Sequence, residues 1–385
     1  MKYKFFLVIL ASIVFGCSSP TKINSILETG SDSFQKILND PKYEVQVIYS
    51  EIDENQIRHY YYNVDPNKFF YPASTVKMPI AFAAAKKLNE LGLGLDTKLL
   101  IDSSEHNPRS ILYDSLFQAP PTVENLIKKI FVFSDNQAYN QLYGWLGKDY
   151  INELNHSLGL KSSRIIHQLS ESAFSFTSES NENTFNVRLV SDDTIGFKSE
   201  KNDFQSALDI KHQIKGKAYM NNEGEIVNEP FDFSEKNFFS LESLLGSLER
   251  MVKPSLFTTK EQYGLSQSEY QQMAAIMNLR PRDLPHPIDT LGDNYVKFFM
   301  FGDKKDKAIP EHIEIRNKVG WAYGYLTDVA YIRDKQQNIE FFLAATIHVN
   351  ENQTYNDGKY EYEERGLPFL TELGQLFYDY KTRTN

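Results

Sequence analysis

The stretch Tyr71-Pro72-Ala73-Ser74-Thr75-Val76-Lys77 opens an Ala-rich segment of helical spacing that runs to Leu91 and stops at Gly92. Ser74 and Lys77 stand three apart, so one helical turn brings a hydroxyl and an amine onto the same face. The hydroxyl also sits at a helix N-terminus, which favours developing negative charge. A hydroxyl is inert near neutral pH until a neighbour takes its proton, and a lysine does that only when burial or nearby cations depress its pKa. The pair is therefore a nucleophile with a candidate base. The spacing alone decides little: Ser19-Pro20-Thr21-Lys22 repeats it in a polar tether. An N-cap serine beside a surface lysine is the ordinary alternative.

Working outward, Tyr43–Glu51 alternates apolar and polar residues and Gln56–Val64 is β-branched and aromatic, which predicts a hairpin across Asp53-Glu54-Asn55. A first helix is expected near Ile26–Leu38. Downstream, helices over Thr122–Phe131 and Gln137–Leu146 flank Ser134-Asp135-Asn136, with another over Asp149–Leu158. Residues 170–237 change character, rich in Ser, Asn, Glu and Asp with short apolar pieces such as Phe185–Val190, and read as an insertion with some β structure. Helical patterning returns at Ser240–Val252 and Ser266–Met277. Strand-like Thr327–Arg333 and Ile339–Val349 then precede an amphipathic helix near Leu367–Tyr380. Strands, many helices, then strands and a last helix predict an α/β or α+β fold whose two chain ends share one sheet.

Two further elements bear on the Ser-Lys pair. Ser134-Asp135-Asn136 lies between helices, and Lys318-Val319-Gly320 opens the strand-like run KVGWAYGYLTDVAYI. Each has a bland alternative, a turn and a strand start. Together and in this order, they resemble the signature S-x-x-K, S-D-N and K-T-G of the penicillin-recognising serine hydrolases, specifically the class A β-lactamase and D,D-peptidase group. The resemblance covers residues 30–167 and 238–380. It implies an α+β sandwich with a five-stranded antiparallel sheet from both chain ends and an all-helical subdomain. It also implies roles: Ser74 as acyl-accepting nucleophile, Lys77 as the amine that deprotonates it, Ser134 as proton relay to the leaving nitrogen. Asn136 would bond Lys77 and the substrate amide, Lys318 would draw a substrate carboxylate, and Gly320 would let substrate approach the strand. Backbone N–H groups of Ser74 and Trp321 would form the oxyanion hole.

The sequence departs from that pattern in two places. Val319 stands where the family prefers Thr or Ser, which removes a hydroxyl from carboxylate capture, and Trp321 is bulky where small residues are usual, so a narrowed or reshaped pocket mouth is expected. The deacylating motif E-x-x-x-N of class A enzymes is missing after Asp149–Leu158. Glu171, Glu179, Glu182 and His167 are the available bases, and solvated loop or structural roles compete for each. The readings open at this level are hydrolysis of a β-lactam or related amide through an acyl-enzyme on Ser74, a D,D-peptidase, penicillin-binding protein or esterase with slow deacylation, and a catalytically idle envelope-binding lipoprotein.

Composition narrows the field. With 41% hydrophobic and 24% charged residues over 385 positions the chain is globular, enough for one large or two ordinary domains. A net charge of −10 argues against a nucleic-acid partner. One cysteine excludes a disulfide framework, and eight scattered histidines without clustered carboxylates support no metal site. No G-x-G-x-x-G or Walker sequence calls for a nucleotide, so no cofactor is expected. Lys2 and Lys4 followed by the apolar run Phe5–Phe15 match a signal peptide over residues 1–16. Val14-Phe15-Gly16-Cys17-Ser18-Ser19 resembles a bacterial lipobox, with Phe15 bulky for its place, and an ordinary signal peptide is the alternative. The expectation is an exported monomer, lipid-anchored through Cys17 in the bacterial cell envelope. Residues 17–40 would be tether and first helix, 41–380 the hydrolase domain interrupted by 170–237, and a β-lactam or cell-wall peptide the acyl substrate.

Overall fold

The computed structural model describes residues 22–105, 107, 109–169, 179–205, 208–284, 291–305 and 307–384. The export segment and Cys17 lie outside the described residues. Five strands form one antiparallel sheet: β1 (Gln46–Ile52), β2 (Ile57–Tyr62), β3 (Ile313–Ala322), β4 (Tyr325–Asp334) and β5 (Ile339–His348), in the order β3-β4-β5-β1-β2. The N-terminal hairpin joins the C-terminal meander through β1 and β5, where Ile48 faces Ala344. The two chain ends thus share a sheet, as the order of elements predicted.

Strand alternation sends side chains to two cores. Val47, Tyr49, Leu326, Ala330, Ile332 and Leu343 enter one; Ile48, Val329, Tyr331, Phe342 and Ala344 enter the other. The flanking helices are α1 (Lys22–Leu27), α2 (Asp32–Leu38), α3 (Lys77–Glu90), α4 (Val123–Phe133), α5 (Asn136–Ser157), α6 (Leu241–Val252), α7 (Gln267–Asn278) and α8 (Leu367–Thr384). Helices α1, α2 and α8 cover the first face, and α3 to α7 build the second core. With both faces covered, β4 and β5 are buried along nearly their whole length.

Local chemistry sets the helix boundaries. The single helix expected over Ile26–Leu38 is two, because Ser31 starts α2 afresh: its hydroxyl accepts the Phe34 N–H, with Asp32 in the first turn. The helices expected on either side of Gly147 are two, as the sequence predicts: Gly147 is non-helical, with φ 76° and ψ 153°, and breaks the run Asn136–Ser157, labelled α5 throughout, across a kink. The helical layer is not all helix. Lys98–Asp102, Asn186–Val190 and Thr194–Phe197 form a three-stranded sheet in which Leu99, Ile101, Val187 and Leu189 point inward, and Arg188 grips Asp102 at 2.7 and 2.8 Å. Part of the expected insertion is therefore woven into that layer. Farther along, Ile214–Lys215 pairs with Phe231–Asp232, and Ala218–Met220 runs parallel to Thr354–Tyr355.

Candidate active site

Ser74 lies in a short 3-10 turn, Ala73–Val76, and Lys77 begins α3 directly after it. The turn is entered through Ala73 in a left-handed conformation, φ 47°. Ser134 ends α4, also left-handed at φ 53°, and Asp135 caps α5 by accepting the Ala138 N–H at 2.6 Å. Two non-glycine residues in this sparsely populated region flank the same crevice, as happens where surrounding structure holds a site in a set geometry. The reversal between α4 and α5 turns both the carbonyl and the hydroxyl of Ser134 toward Lys77.

The buried Lys77 amine donates to Ser74 Oγ at 2.9 Å, to Asn136 Oδ1 at 2.6 Å, to the Ser134 carbonyl, and more weakly to Ser134 Oγ at 3.3 Å. From the other side the buried Lys318 amine donates to Ser134 Oγ at 2.9 Å and to the Val319 carbonyl at 2.8 Å. The three separate stretches of chain converge, and Ser134 bridges two amines. Burial pushes the Lys318 amine well below the usual lysine range; the Lys77 charge and Lys297 push the same way, against Asp328.

Behind β3 a second polar group supports this. Lys297 donates to the Met277 and Ile315 carbonyls and to Asn317 Oδ1, each at 2.8 Å, and Asn317 donates to Asp328 at 2.8 Å. Asp328 in turn accepts the Phe298 and Phe299 N–H groups. Burial draws the Lys297 amine down and the Asp328 carboxyl up. A buried charge of this kind holds only when its hydrogen bonds are complete.

Gly320 does more than admit substrate. A Cβ there would stand 2.5 Å from the Pro72 carbonyl oxygen and 2.9 Å from the backbone nitrogens of Ser74 and Thr75. The glycine lets strand β3 close against the turn that carries the nucleophile, so the missing side chain makes room for protein backbone. Tyr323 and Gly324, with φ 53° and 81°, form the two-residue turn between β3 and β4. In such a hairpin the flanking pair, Ala322 and Tyr325, exchanges hydrogen bonds, so alternate residues face the edge. The Trp321 N–H therefore points out of the sheet on the side of Ser74, where an oxyanion donor belongs. The Trp321 ring, expected to crowd the pocket mouth, instead leans on Phe298 and Tyr362 with centroids 5.9 and 5.6 Å away. Strand alternation puts it on the face opposite Lys318 and Gly320. Val319 points the same way and is buried in the far core.

Of the four possible deacylating bases, Glu171 and the side chain of Glu179 lie outside the described residues. Glu182 pairs with Lys148. His167 accepts the Asn237 N–H on Nε2 at 3.0 Å, which leaves the proton on Nδ1, bonded to the Gln168 carbonyl at 2.6 Å. Burial, the largest influence, pulls its pKa down to about 4. It is a neutral structural ring with both nitrogens engaged.

Sequence reading missed the residues that hold the segment around His167. Asn237 accepts the Ile166 and His167 N–H groups and donates to the His167 carbonyl, while Asn140 makes the same kind of clamp on Leu169. Asn140 sits four residues after Asn136, one helical turn on, which is a usable signal; Asn237, before Phe238-Phe239, carries none. Lys297 was legible as a lone cation in the apolar run Val296-Lys297-Phe298-Phe299-Met300-Phe301. A wall of rings was also missed: Phe233 packs against Phe69, Tyr71 and Tyr323 with centroids 5.1, 6.0 and 5.4 Å away, and Phe231 stacks on Tyr323 at 5.5 Å.

Fold and site define a β-lactamase-like serine hydrolase. Residues 31–194 match the model of the β-lactamase enzyme family, a span that includes Ser74, Lys77, Ser134 and Asn136 and stops short of Lys318. Among solved structures, the TLA-3 extended-spectrum β-lactamase aligns at 15% identity over 93% of this chain and 98% of its own, with a TM-score of 0.52. A β-lactamase from Sphaerobacter thermophilus aligns at 13% identity over 91% and 96% (TM-score 0.51), and the chromosome-encoded enzyme of Vibrio parahaemolyticus at 11% over 92% and 99% (TM-score 0.51). At these identities the likeness establishes the β-lactamase/transpeptidase-like fold. No curated protein matches the chain in sequence.

Proposed function

We propose that the protein hydrolyses a β-lactam or related amide through an acyl-enzyme on Ser74. The observation that carries this reading is the set of partners around Lys77. Two of them, the Ser134 carbonyl and Asn136 Oδ1, can only accept. A neutral amine has two hydrogens and one lone pair. As an ammonium Lys77 donates to Ser74 Oγ at 2.9 Å; once neutral, with both hydrogens held by these two acceptors, its lone pair takes that direction and is placed to accept the Ser74 proton.

Attack then forms the Ser74 Oγ–acyl bond. The carbonyl oxygen takes the negative charge between the N–H groups of Ser74 and Trp321, each donor worth about 3 kcal/mol in the transition state. The proton on Lys77 passes through Ser134 Oγ to the leaving nitrogen, whose bond to the acyl carbon breaks. Lys318 faces a substrate carboxylate near Ser134, so the acyl portion extends the other way along β3, toward Tyr323 and Phe231. Deacylation is the slow step. His167 and Glu182 are occupied structurally, which favours peptidase-like persistence of the adduct over rapid antibiotic turnover. The natural substrate in that case is a cell-wall peptide. The signal-like residues 1–16 and the lipobox-like Cys17 support export and lipid anchoring in the bacterial envelope as part of this proposal, with the enzyme acting as a monomer.

Incubation with a fluorescent penicillin followed by intact-mass measurement over time tests the reading. A stable adduct lost in Ser74→Ala and Lys77→Ala is expected. No adduct on the wild type, or one retained by Ser74→Ala, removes Ser74 from the nucleophile role. A Cys17→Ser variant that stays in the membrane fraction refutes the anchor.

A further inference from the structure

A cavity of about 790 Å³ opens where the segment around Ile214–Lys215 meets the start of β1 and the end of β5, and its lining includes none of Ser74, Lys77, Ser134 and Lys318. Its size suits a small ligand. Its floor is the buried Lys215 amine, held by both carboxylate oxygens of Glu44 at 2.9 and 2.8 Å. Lys42 and Lys68 add two more amines to the lining, against Glu351 as the second carboxylate.

The charges do not balance. Glu44 is neutralised by Lys215, and Glu351 is taken by Arg365 at 2.6 Å from outside the cavity. Lys42 has only long contacts, 3.4 Å to Asp40 and 3.5 Å to Glu351. Lys68 forms no ion pair among the described residues and is a minor influence on the buried pair: burial raises the Glu44 carboxyl but Lys215, His348 and lastly Lys68 outweigh it, and burial lowers the Lys215 amine against Glu44, with Lys68 adding a little. The wall thus carries the Lys68 charge with no counter-ion among the described residues, beside a Lys42 amine whose carboxylate contacts are long.

The backbone supplies an independent indication. Glu44, His212 and Gln353 all line this one cavity, and all three are left-handed, with φ of 46°, 61° and 56°. Such residues cost free energy in a non-glycine chain and concentrate where structure is held for a purpose.

We propose that this cavity binds a small oxyanion, a carboxylate or a phosphate, between Lys68, Lys42 and the Lys215–Glu44 floor, at a site separate from Ser74. The bound anion completes the charge balance of the recess. The rings of Tyr355, Tyr323 and Tyr71, with centroids 6.5 and 5.0 Å apart, run from the cavity wall to the segment that carries the nucleophile.

Titration calorimetry on the wild-type protein with sodium phosphate, N-acetylglycine and sodium chloride tests the proposal. One-to-one binding of phosphate or of N-acetylglycine, but not of chloride, is expected; the tighter of the two identifies the source of the oxyanion. Lys68→Gln should weaken it about fivefold, the scale of one partly exposed charge contact, and Lys68→Arg should restore it. Binding should persist in Ser74→Ala, which separates this site from the acylation reading and remains measurable if that reading fails. Absence of binding by both oxyanions, equal affinity in Lys68→Gln, or loss of binding in Ser74→Ala overturns the proposal.

Discussion

Replacing Gly320 by alanine tests the geometry of the site more sharply than removing a catalytic group. The added Cβ would lie 2.5 Å from the Pro72 oxygen and 2.9 Å from Ser74 N. Ordinary contacts of this kind are about 3.5 Å, so one of the two backbones must retreat by about 1 Å. Neither neighbour is a flexible side chain that swings aside. Whichever segment moves, the Trp321 N–H and the Ser74 N–H separate, and the oxyanion loses one aligned donor. A misplacement of that size costs about 100-fold in rate, and loss of a donor is worth about 3 kcal/mol, which is the same scale. Overpacking costs about 1–3 kcal/mol of stability, a drop of several degrees in Tm for a chain of this length. The assay is the second-order rate of adduct formation with a fluorescent penicillin, measured well below the variant's Tm. Folded Gly320→Ala should acylate about 100-fold more slowly than wild type. A rate within threefold of wild type would refute the claim that the glycine sets the distance between β3 and the nucleophile.

Two other perturbations have signed outcomes. Burial raises the Glu249 carboxyl to about 8, against a weaker pull from Arg250 and Ser50, while burial lowers the neighbouring His59, so their 3.5 Å contact is between neutral groups near neutrality. A carboxyl raised on folding keeps its proton where the unfolded chain has lost it, so stability falls as pH rises from about 4.5 to 8; Glu249→Gln should gain over wild type across that window, up to about 5 kcal/mol, read from urea melts at pH 5 and 8.5. A constant difference between the two pH values would sink the assignment. Asn237→Ala leaves two buried N–H groups and a carbonyl around His167 without partners and should cost about 2–4 kcal/mol in the same melts; a loss below 0.5 kcal/mol would show that the clamp is dispensable.

How much of this was legible in the chain depended on the kind of signal. Alternation in Tyr43–Glu51 and the apolar, strand-like run Ile339–Val349 revealed the adjoining strands β1 and β5, because a strand buried on one or both faces writes its burial into its own residues. Ser74, Lys77, Ser134 and Asn136 were readable because short spacings tie them to helix starts and ends, whereas Lys318, expected to open a strand, lies midway along β3 and was readable only through the Gly two residues on. The side to which Trp321 leans was not readable from side-chain size: it follows from strand parity, and parity required knowing that Lys318 faces the crevice. Thr29-Gly30-Ser31 broke a helix that periodicity alone joined, since Ser31 serves as a cap. Residues 170–237 were the least legible. Their partners, Lys98–Asp102, Phe69, Tyr323 and Thr354–Tyr355, are distant in sequence, and no local period records a pairing with a remote segment.

Those remote pairings bear on the chemistry. Lys211 bonds through its backbone with Asn67 and Phe69, just ahead of the turn that holds Ser74. Phe231 and Phe233 wedge against Tyr323, at the tip of the hairpin whose edge carries Trp321, and Phe233 also meets Tyr71. Asn237 fixes Ile166 and His167, the segment that follows α5 and its Ser134-Asp135-Asn136 start. One stretch of about thirty residues thus touches each of the three segments that must converge for acylation, and it does so with a backbone pairing, an aromatic wedge and a side-chain clamp. A lobe that were only a surface addition would need none of these. Because each contact holds a backbone position rather than a reacting atom, damage to any of them should act on the rate of adduct formation through distance, in the way argued for Gly320, while leaving Lys77 and Ser134 chemically intact.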